Sequence, residues 1–115
     1  MLPPPEPDVP AVTAAEAAEM VKSGALLIDI RELAEWEAMR IPGAEFKPLS
    51  KIQDWFEDLP RDTDIILQCR SGSRSAQATD ALIRQAGFER VFNLTGGLIA
   101  WHSAALPVDR SPVAD

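Results

Sequence analysis

The segment of the chain that is best suited to chemistry begins at its single cysteine, Cys69. The cysteine is followed by three serines, two arginines and a glycine, in the order Arg70, Ser71, Gly72, Ser73, Arg74 and Ser75. A short glycine-containing loop that leads into a helix turns several backbone N–H groups toward one point, with the positive end of the helix dipole behind them. Such a loop binds anions. We therefore predict that it holds Cys69 as a reactive thiolate without a histidine base.

The competing interpretation is that Cys69 is a small hydrophobic residue of the core, since lone cysteines are among the most buried side chains. Two arginines and three serines in one loop are costly to bury, whereas they suit an anion pocket, so the loop favours the chemical interpretation. With one cysteine and one histidine, His102, the sequence excludes an internal disulfide, a CxxC pair and a cysteine-rich zinc site. We predict that the protein uses no metal and no cofactor.

The composition is typical of one ordinary globular domain, with 115 residues of which 46% are hydrophobic and 25% charged. The 18 acidic residues outnumber the 11 basic ones, and the net charge of −7 disfavours nucleic acid and anionic membranes as partners. No apolar stretch approaches the roughly 18 residues of a membrane span, and the first residues lack the features of a secretory signal. We therefore predict a cytoplasmic protein.

Helical and strand patterns alternate along the chain. Capping boxes at Thr13 with Glu16 and at Ser50 with Gln53 each predict the start of a helix. The predicted helices cover residues 13–23, 32–39, 50–59, 75–87 and 98–105, and the predicted strands cover residues 26–30, 44–47, 65–68 and 90–93. This alternation predicts an α/β domain with a mainly parallel sheet and helices on both faces. Cys69 directly follows a strand, at the sheet edge where ligands bind in such folds.

The two ends of the chain differ from the middle in composition. Four of the first seven residues are proline, which favours an extended segment, and we predict an N-terminal tail at 1–10. A proline motif that binds a partner is the alternative to a plain tail. The central domain is predicted to span 11–108, and a second tail 109–115, because proline recurs there among small and charged residues.

The cysteine loop resembles the active-site loop of single-domain rhodaneses, which are sulfurtransferases that carry a persulfide on one cysteine. Further motifs of that family occur in the family's order: a D-x-R element at 29–32 with Glu35 and Trp36, an I-P-G-A turn at 41–44, and closing motifs at 87–88, 93–97 and Trp101. The resemblance covers residues 12–108. One position departs from it, because the family commonly has histidine where this chain has Arg40. We interpret Arg40 either as a solvated surface arginine or as a charge on the pocket rim.

The resemblance implies a two-step transfer of sulfane sulfur through a Cys69 persulfide. By the same resemblance, the expected donor is thiosulfate or another persulfide donor, and the expected acceptor is cyanide, a thiol or a sulfur-accepting protein. The residues expected to bind the substrate are Arg70, Ser71, Gly72, Ser73, Arg74 and Ser75. Asp29 and Arg31 are expected to support the site, through an ion pair that ties loops together. Ser75 is also expected to cap the following helix.

Other residues are expected to have structural roles only. Gly96 and Gly97 are expected to permit a tight turn and close backbone packing. The three tryptophans are expected in the core or covering it, and His102 is given no catalytic role.

Two other functions remain open at this point. A rhodanese-like module can serve as a binding or regulatory domain without catalysis, although such modules often lack the cysteine. Cysteine-dependent phosphatases and arsenate reductases also hold a thiolate in an anion loop. In those enzymes five residues separate the cysteine from the arginine, whereas four separate Cys69 from Arg74. The shorter loop leaves less room for a tetrahedral phosphate and favours a sulfur-sized ligand.

Overall fold

Five short parallel strands form the centre of the computed structural model, which describes residues 2–5 and 8–113. The strands are β1 (Ala11–Val12), β2 (Leu26–Asp29), β3 (Glu45–Phe46), β4 (Ile65–Gln68) and β5 (Val91–Leu94), in the sheet order β1-β5-β4-β2-β3. The helices are α1 (Ala14–Lys22), α2 (Leu33–Ala38), α3 (Ile52–Trp55), α4 (Ser73–Ala86) and α5 (Gly97–Ser103). The predicted α/β class with a parallel sheet is confirmed. Residues 1, 6 and 7 of the predicted first tail and 114–115 of the second lie outside the described residues.

Side chains of the strands alternate between two apolar layers, as the period of two in a strand requires. Ile28, Ile65 and Leu67 pack on one face, against α3 and α4. Leu27 and Ile66 pack on the other, against α1 and α5. Each fully buried leucine or isoleucine contributes roughly 1.5–3 kcal/mol relative to exposure, so the sheet is held between two helical layers. In the described part of the chain, no helix is long and apolar enough to cross a membrane.

The structure adds one strand to those predicted and corrects two local expectations. The strand β1 was not predicted, because two residues that pair with Asn93 and Leu94 of β5 carry no pattern of their own. The capping box at Ser50 is wrong: Ser50 lies in a 3-10 turn and its hydroxyl donates to Oε1 of Glu32 at 2.7 Å. Helix α4 begins at Ser73, two residues before the predicted start. The capping box at Thr13, by contrast, is present as predicted.

Arg40 is not a solvated surface arginine. Its side chain is 9% exposed, and its guanidinium donates to the carbonyl oxygens of Trp36 at 3.0 Å and of Ser111 at 2.6 Å. Its backbone pairs with Asp109 in both directions, at 2.9 Å and 2.7 Å. Arg40 therefore fastens the C-terminal segment to the end of α2. Its guanidinium bonds to the end of α2 and to the C-terminal segment, so the pocket-rim interpretation is also wrong.

We expect Arg40→Ala to lower the free energy of unfolding by about 1–3 kcal/mol, because the carbonyl groups of Trp36 and Ser111 lose a charged donor that is itself buried. Denaturant unfolding measures the change. Arg110→Ala is the matched control, since it removes the same charge from an exposed neighbour. Equal losses for the two variants would contradict the anchoring role of Arg40.

Candidate active site

The sulfur of Cys69 lies in a cradle of three hydrogen-bond donors. The loop after β4 turns at Gly72, whose φ of +95° is in the left-handed region, and enters α4 one residue later. The Sγ atom accepts hydrogen bonds from the Gly72 backbone N–H at 3.2 Å, the Ser75 backbone N–H at 3.4 Å and the Ser75 hydroxyl at 3.3 Å. Cys69 itself is only 1% exposed. Backbone donors at the start of a helix favour negative charge on this sulfur.

A second loop, at the start of α5, holds the cysteine loop in place. The backbone N–H of Leu98 donates to the Cys69 carbonyl at 2.8 Å, and that of Ile99 donates to the Arg70 carbonyl at 3.1 Å. The two backbones touch at Gly97, where a Cβ atom would lie 2.3 Å from the Cys69 oxygen. The predicted role of Gly97 in close backbone packing is confirmed. Gly96 is equally restricted, because its Cβ would lie 2.6 Å from the Ala100 Cβ.

Ser75 does not cap α4, since Gly72 occupies the N-cap position and Ser75 lies inside the first turn. Its buried hydroxyl has one proton, which the Cys69 sulfur at 3.3 Å shares with Oδ1 of Asn93 at 2.5 Å. Asn93 belongs to β5, opposite Leu67 of the neighbouring strand. Asn93 therefore fixes the position of the Ser75 hydroxyl beside the sulfur. Sequence reasoning placed Asn93 in a family motif but not in the site, because the contact depends on strand register.

Arg74 is paired with Glu35 of α2. Both terminal nitrogens of the guanidinium donate to the two carboxylate oxygens, each at 2.8 Å, and the two side chains are 38% and 31% exposed. The hydrogen bonds from Arg74 lower the pKa of the Glu35 carboxyl from 4.5 to about 2, against the opposing effect of its burial. The same pairing raises the pKa of Arg74. Both groups are consequently charged at neutral pH, and Glu35 joins the site although it was not predicted there.

Arg70 differs from Arg74 because it is exposed, and the structure gives its guanidinium no ion pair with a described residue. Arg70 borders a cleft of about 350 Å³ between α2 and α5. Met39 and Ile99 form apolar parts of the cleft wall, and His102 lies at its edge, exposed. The remaining predicted loop residues, Ser71 and Ser73, are also exposed, and their side chains make no hydrogen bond to the sulfur.

Asp29 and Arg31 form a buried ion pair in which Nε and Nη2 of the arginine donate to both carboxylate oxygens, the shortest distance being 2.8 Å. Arg31 also donates to the Met39 carbonyl at 2.6 Å, which ties the end of α2 to β2. The expected ion pair is therefore present, and it supports the cleft wall rather than the sulfur. Among the described residues, no group of three or more His, Cys, Asp or Glu side chains is arranged to hold a metal ion.

Gln68 is a further residue that the sequence did not single out. It is fully buried, and its amide nitrogen donates to the Cys69 carbonyl at 2.9 Å. That carbonyl also accepts from Leu98, so two donors hold the peptide group that carries the reactive side chain. No signal in the sequence separates this glutamine from an ordinary strand residue.

Comparison with known proteins places this architecture among sulfur-transfer proteins. The sequence profile of the rhodanese-like domain family matches residues 13–104. A sulfurtransferase of Allochromatium vinosum is 45% identical over 83 residues, which cover 72% of this chain and 77% of the relative. The thiosulfate sulfurtransferase GlpE of Haemophilus influenzae is 35% identical over 99 residues, 85% of this chain and 92% of the relative. The crystal structure of a thiosulfate sulfurtransferase from Pseudomonas aeruginosa superposes with a TM-score of 0.79 at 27% identity, over 89% of this chain and 20% of that one.

We expect Gly97→Ala to cost about 3 kcal/mol or more of the free energy of unfolding, because the added methyl group would clash with the Cys69 carbonyl. Gly43→Ala is the matched control: its φ of +84° is also left-handed, but the added Cβ meets nothing within 4 Å. That control should lose only the backbone strain of about 1–2 kcal/mol. Thermal or denaturant unfolding separates the two, and equal losses would remove the close contact as the reason for glycine at 97.

We expect Ser75→Ala to slow alkylation of Cys69 at neutral pH about threefold to tenfold, because the thiolate loses one hydrogen-bond donor. The rate is measured with iodoacetamide by mass spectrometry. Ser23→Ala, which removes an exposed serine hydroxyl at the opposite sheet edge, should leave the rate unchanged. An unchanged rate in Ser75→Ala would mean that the hydroxyl does not stabilise the thiolate.

Proposed function

The chain belongs to the rhodanese-like domain family, and from that premise we propose that it is a sulfurtransferase that carries sulfane sulfur as a persulfide on Cys69. The observation that carries the proposal is the set of three donors on the Cys69 sulfur, two of them backbone N–H groups at a helix start. Such preorganised donors stabilise a sulfur anion at no cost in reorganisation during the reaction. The same donors serve the thiolate and the persulfide, which differ by one sulfur atom.

In the first half-reaction the Cys69 thiolate attacks the outer sulfur of a donor such as thiosulfate. A new S–S bond forms to Cys69, the S–S bond of the donor breaks, and its electron pair leaves with sulfite. The exposed guanidinium of Arg70 is the cation best placed to hold the sulfonate oxygens. A similar role for Arg74 remains a prediction, and it requires the donor to compete with Glu35.

In the second half-reaction an acceptor takes the outer sulfur of the persulfide and Cys69 returns to the thiolate. The acceptor is cyanide or a thiol, either small or carried by a protein. The chain has one cysteine, so the persulfide cannot collapse into an internal disulfide. The sulfur therefore leaves only by transfer to an outside acceptor.

The alternative functions make different predictions about Cys69. A binding or regulatory module of the same fold needs no reactive sulfur, whereas this chain places three donors around one. A phosphatase or arsenate reductase needs an arginine free to hold a tetrahedral anion. Here the loop arginine at the corresponding place, Arg74, has both terminal nitrogens bound to Glu35. Sulfur transfer is the function that these contacts support best.

We expect the protein to gain the mass of one sulfur atom when it is incubated with thiosulfate, and to release thiocyanate when cyanide follows. Cys69→Ser should abolish both results while keeping the unfolding temperature close to that of the wild type, because serine fills nearly the same volume. Intact-protein mass spectrometry and a colorimetric thiocyanate assay make the measurements. A panel of thiosulfate, mercaptopyruvate and small hydropersulfides gives the donor range. No sulfur adduct on Cys69 from any of these donors would overturn the proposal.

A further inference from the structure

The charges around the cysteine loop are largely cancelled by neighbouring carboxylates. Arg31 is neutralised by the buried Asp29 at 2.8 Å, and Arg74 is neutralised by Glu35 through two bonds of 2.8 Å. Of the arginines that border the loop and its cleft, Arg70 is the one to which the structure gives no carboxylate partner among the described residues. A donor that approaches Cys69 therefore meets one unpaired guanidinium.

The cleft beside the loop is larger than an inorganic donor requires. Its volume of about 350 Å³ falls in the range of roughly 300–1,000 Å³ that is usual for pockets that bind small organic molecules. Part of its lining is apolar, from Met39, Leu98 and Ile99. Thiosulfate consists of two sulfur and three oxygen atoms and has no apolar group to place there. The cleft is therefore suited to an organic substituent attached to the transferable sulfur.

Resting on the sulfurtransferase function proposed above, we propose that Glu35 is a specificity-determining residue that selects organic hydropersulfides, which carry at most one negative charge, over the dianion thiosulfate. Thiosulfate brings two negative charges to a rim where the Glu35 carboxylate repels them and already occupies Arg74. A small hydropersulfide brings at most one negative charge, which Arg70 is sufficient to balance. Its organic part packs against the apolar wall of the cleft, where burial adds to binding.

The transfer step balances for this donor. The Cys69 thiolate attacks the outer sulfur of R–S–SH, and a new S–S bond forms to Cys69. The bond between the two donor sulfurs breaks, and its electron pair leaves as the thiolate R–S⁻. The outer sulfur keeps its proton until the hydropersulfide of Cys69 ionises in the donor cradle. The step needs no external oxidant or reductant.

The test is Glu35→Gln in the full chain. Glutamine keeps the side-chain length and one oxygen acceptor for Arg74, but it removes the negative charge. We expect the apparent KM for thiosulfate to fall about threefold to tenfold, since the pair is about one-third exposed and screening limits the effect. The KM for the hydropersulfide of 2-mercaptoethanol should change less than twofold, and kcat should change little for either donor. Formation of the Cys69 persulfide is followed by mass spectrometry.

Asp64→Asn is the matched control for overall charge. Asp64 pairs with Arg90 at 2.9 Å, with side chains 38% and 46% exposed, at the opposite edge of the sheet. The control removes one negative charge from a similar ion pair, so it should leave the KM for thiosulfate unchanged. An equal fall in both variants would mean that net charge, rather than Glu35, sets the preference, and would overturn the inference.

Two further outcomes also overturn the inference. An increase in the KM for thiosulfate in Glu35→Gln would show that Glu35 positions Arg74 as an anion clamp. Equal effects on both donors would show that Glu35 does not discriminate between them. Either outcome leaves the proposed function standing as long as wild-type Cys69 accepts sulfur. A complete absence of sulfur on wild-type Cys69 from both donors would instead refute the sulfurtransferase function itself.

Discussion

The contact between two backbone loops is the constraint on which the site depends. The carbonyls of Cys69 and Arg70 accept hydrogen bonds from the first turn of α5, and Gly97 lets the backbones approach so closely that no side chain fits between them. Because these bonds fix the Cys69 peptide, its sulfur stays within hydrogen-bond distance of the Gly72 and Ser75 N–H groups. The position of the sulfur thus depends on the two loops that follow β4 and β5.

The donors around the sulfur favour negative charge, whereas the rim of the site, formed by Arg31, Arg74 and their carboxylate partners, offers little positive charge to an anion. Within the cradle, the N–H groups of Gly72 and Ser75 favour negative charge on a nearly fully buried sulfur, where the local dielectric is low and each donor counts for more. At the rim, carboxylates cancel the arginines Arg31 and Arg74. The anion that is stabilised most is therefore the one bonded covalently to Cys69. A free anion gains less at the mouth of the site, an arrangement consistent with the persulfide intermediate proposed for Cys69.

Local patterns predicted the features that depend on neighbouring residues. The apolar run at 65–68 and the polar loop after it were enough to place Cys69 at the carboxyl edge of a parallel sheet, and the Thr13 capping box is present as predicted. Features that depend on distant residues were missed. Asn93 reaches Ser75 through strand register, and Arg40 is buried by Asp109, 69 positions away. Ser75 was misassigned because the helix starts at a glycine in the left-handed region, which no capping pattern marks.

The helix that carries Glu35 is anchored at its end mainly by polar contacts. None of the residues of α2 is buried, and its aromatic contact is the stacking of Trp36 on Phe46, with 5.2 Å between the ring centroids. Its end is fixed instead by Arg31, which donates to the Met39 carbonyl, and by Arg40, which donates to the Trp36 carbonyl. Each anchor is a charged donor on a backbone acceptor, an interaction worth about 1.5–3 kcal/mol. The arginine that replaces the family's usual histidine thus contributes to the geometry of the rim from outside it, because it sets where α2 presents Glu35 to Arg74.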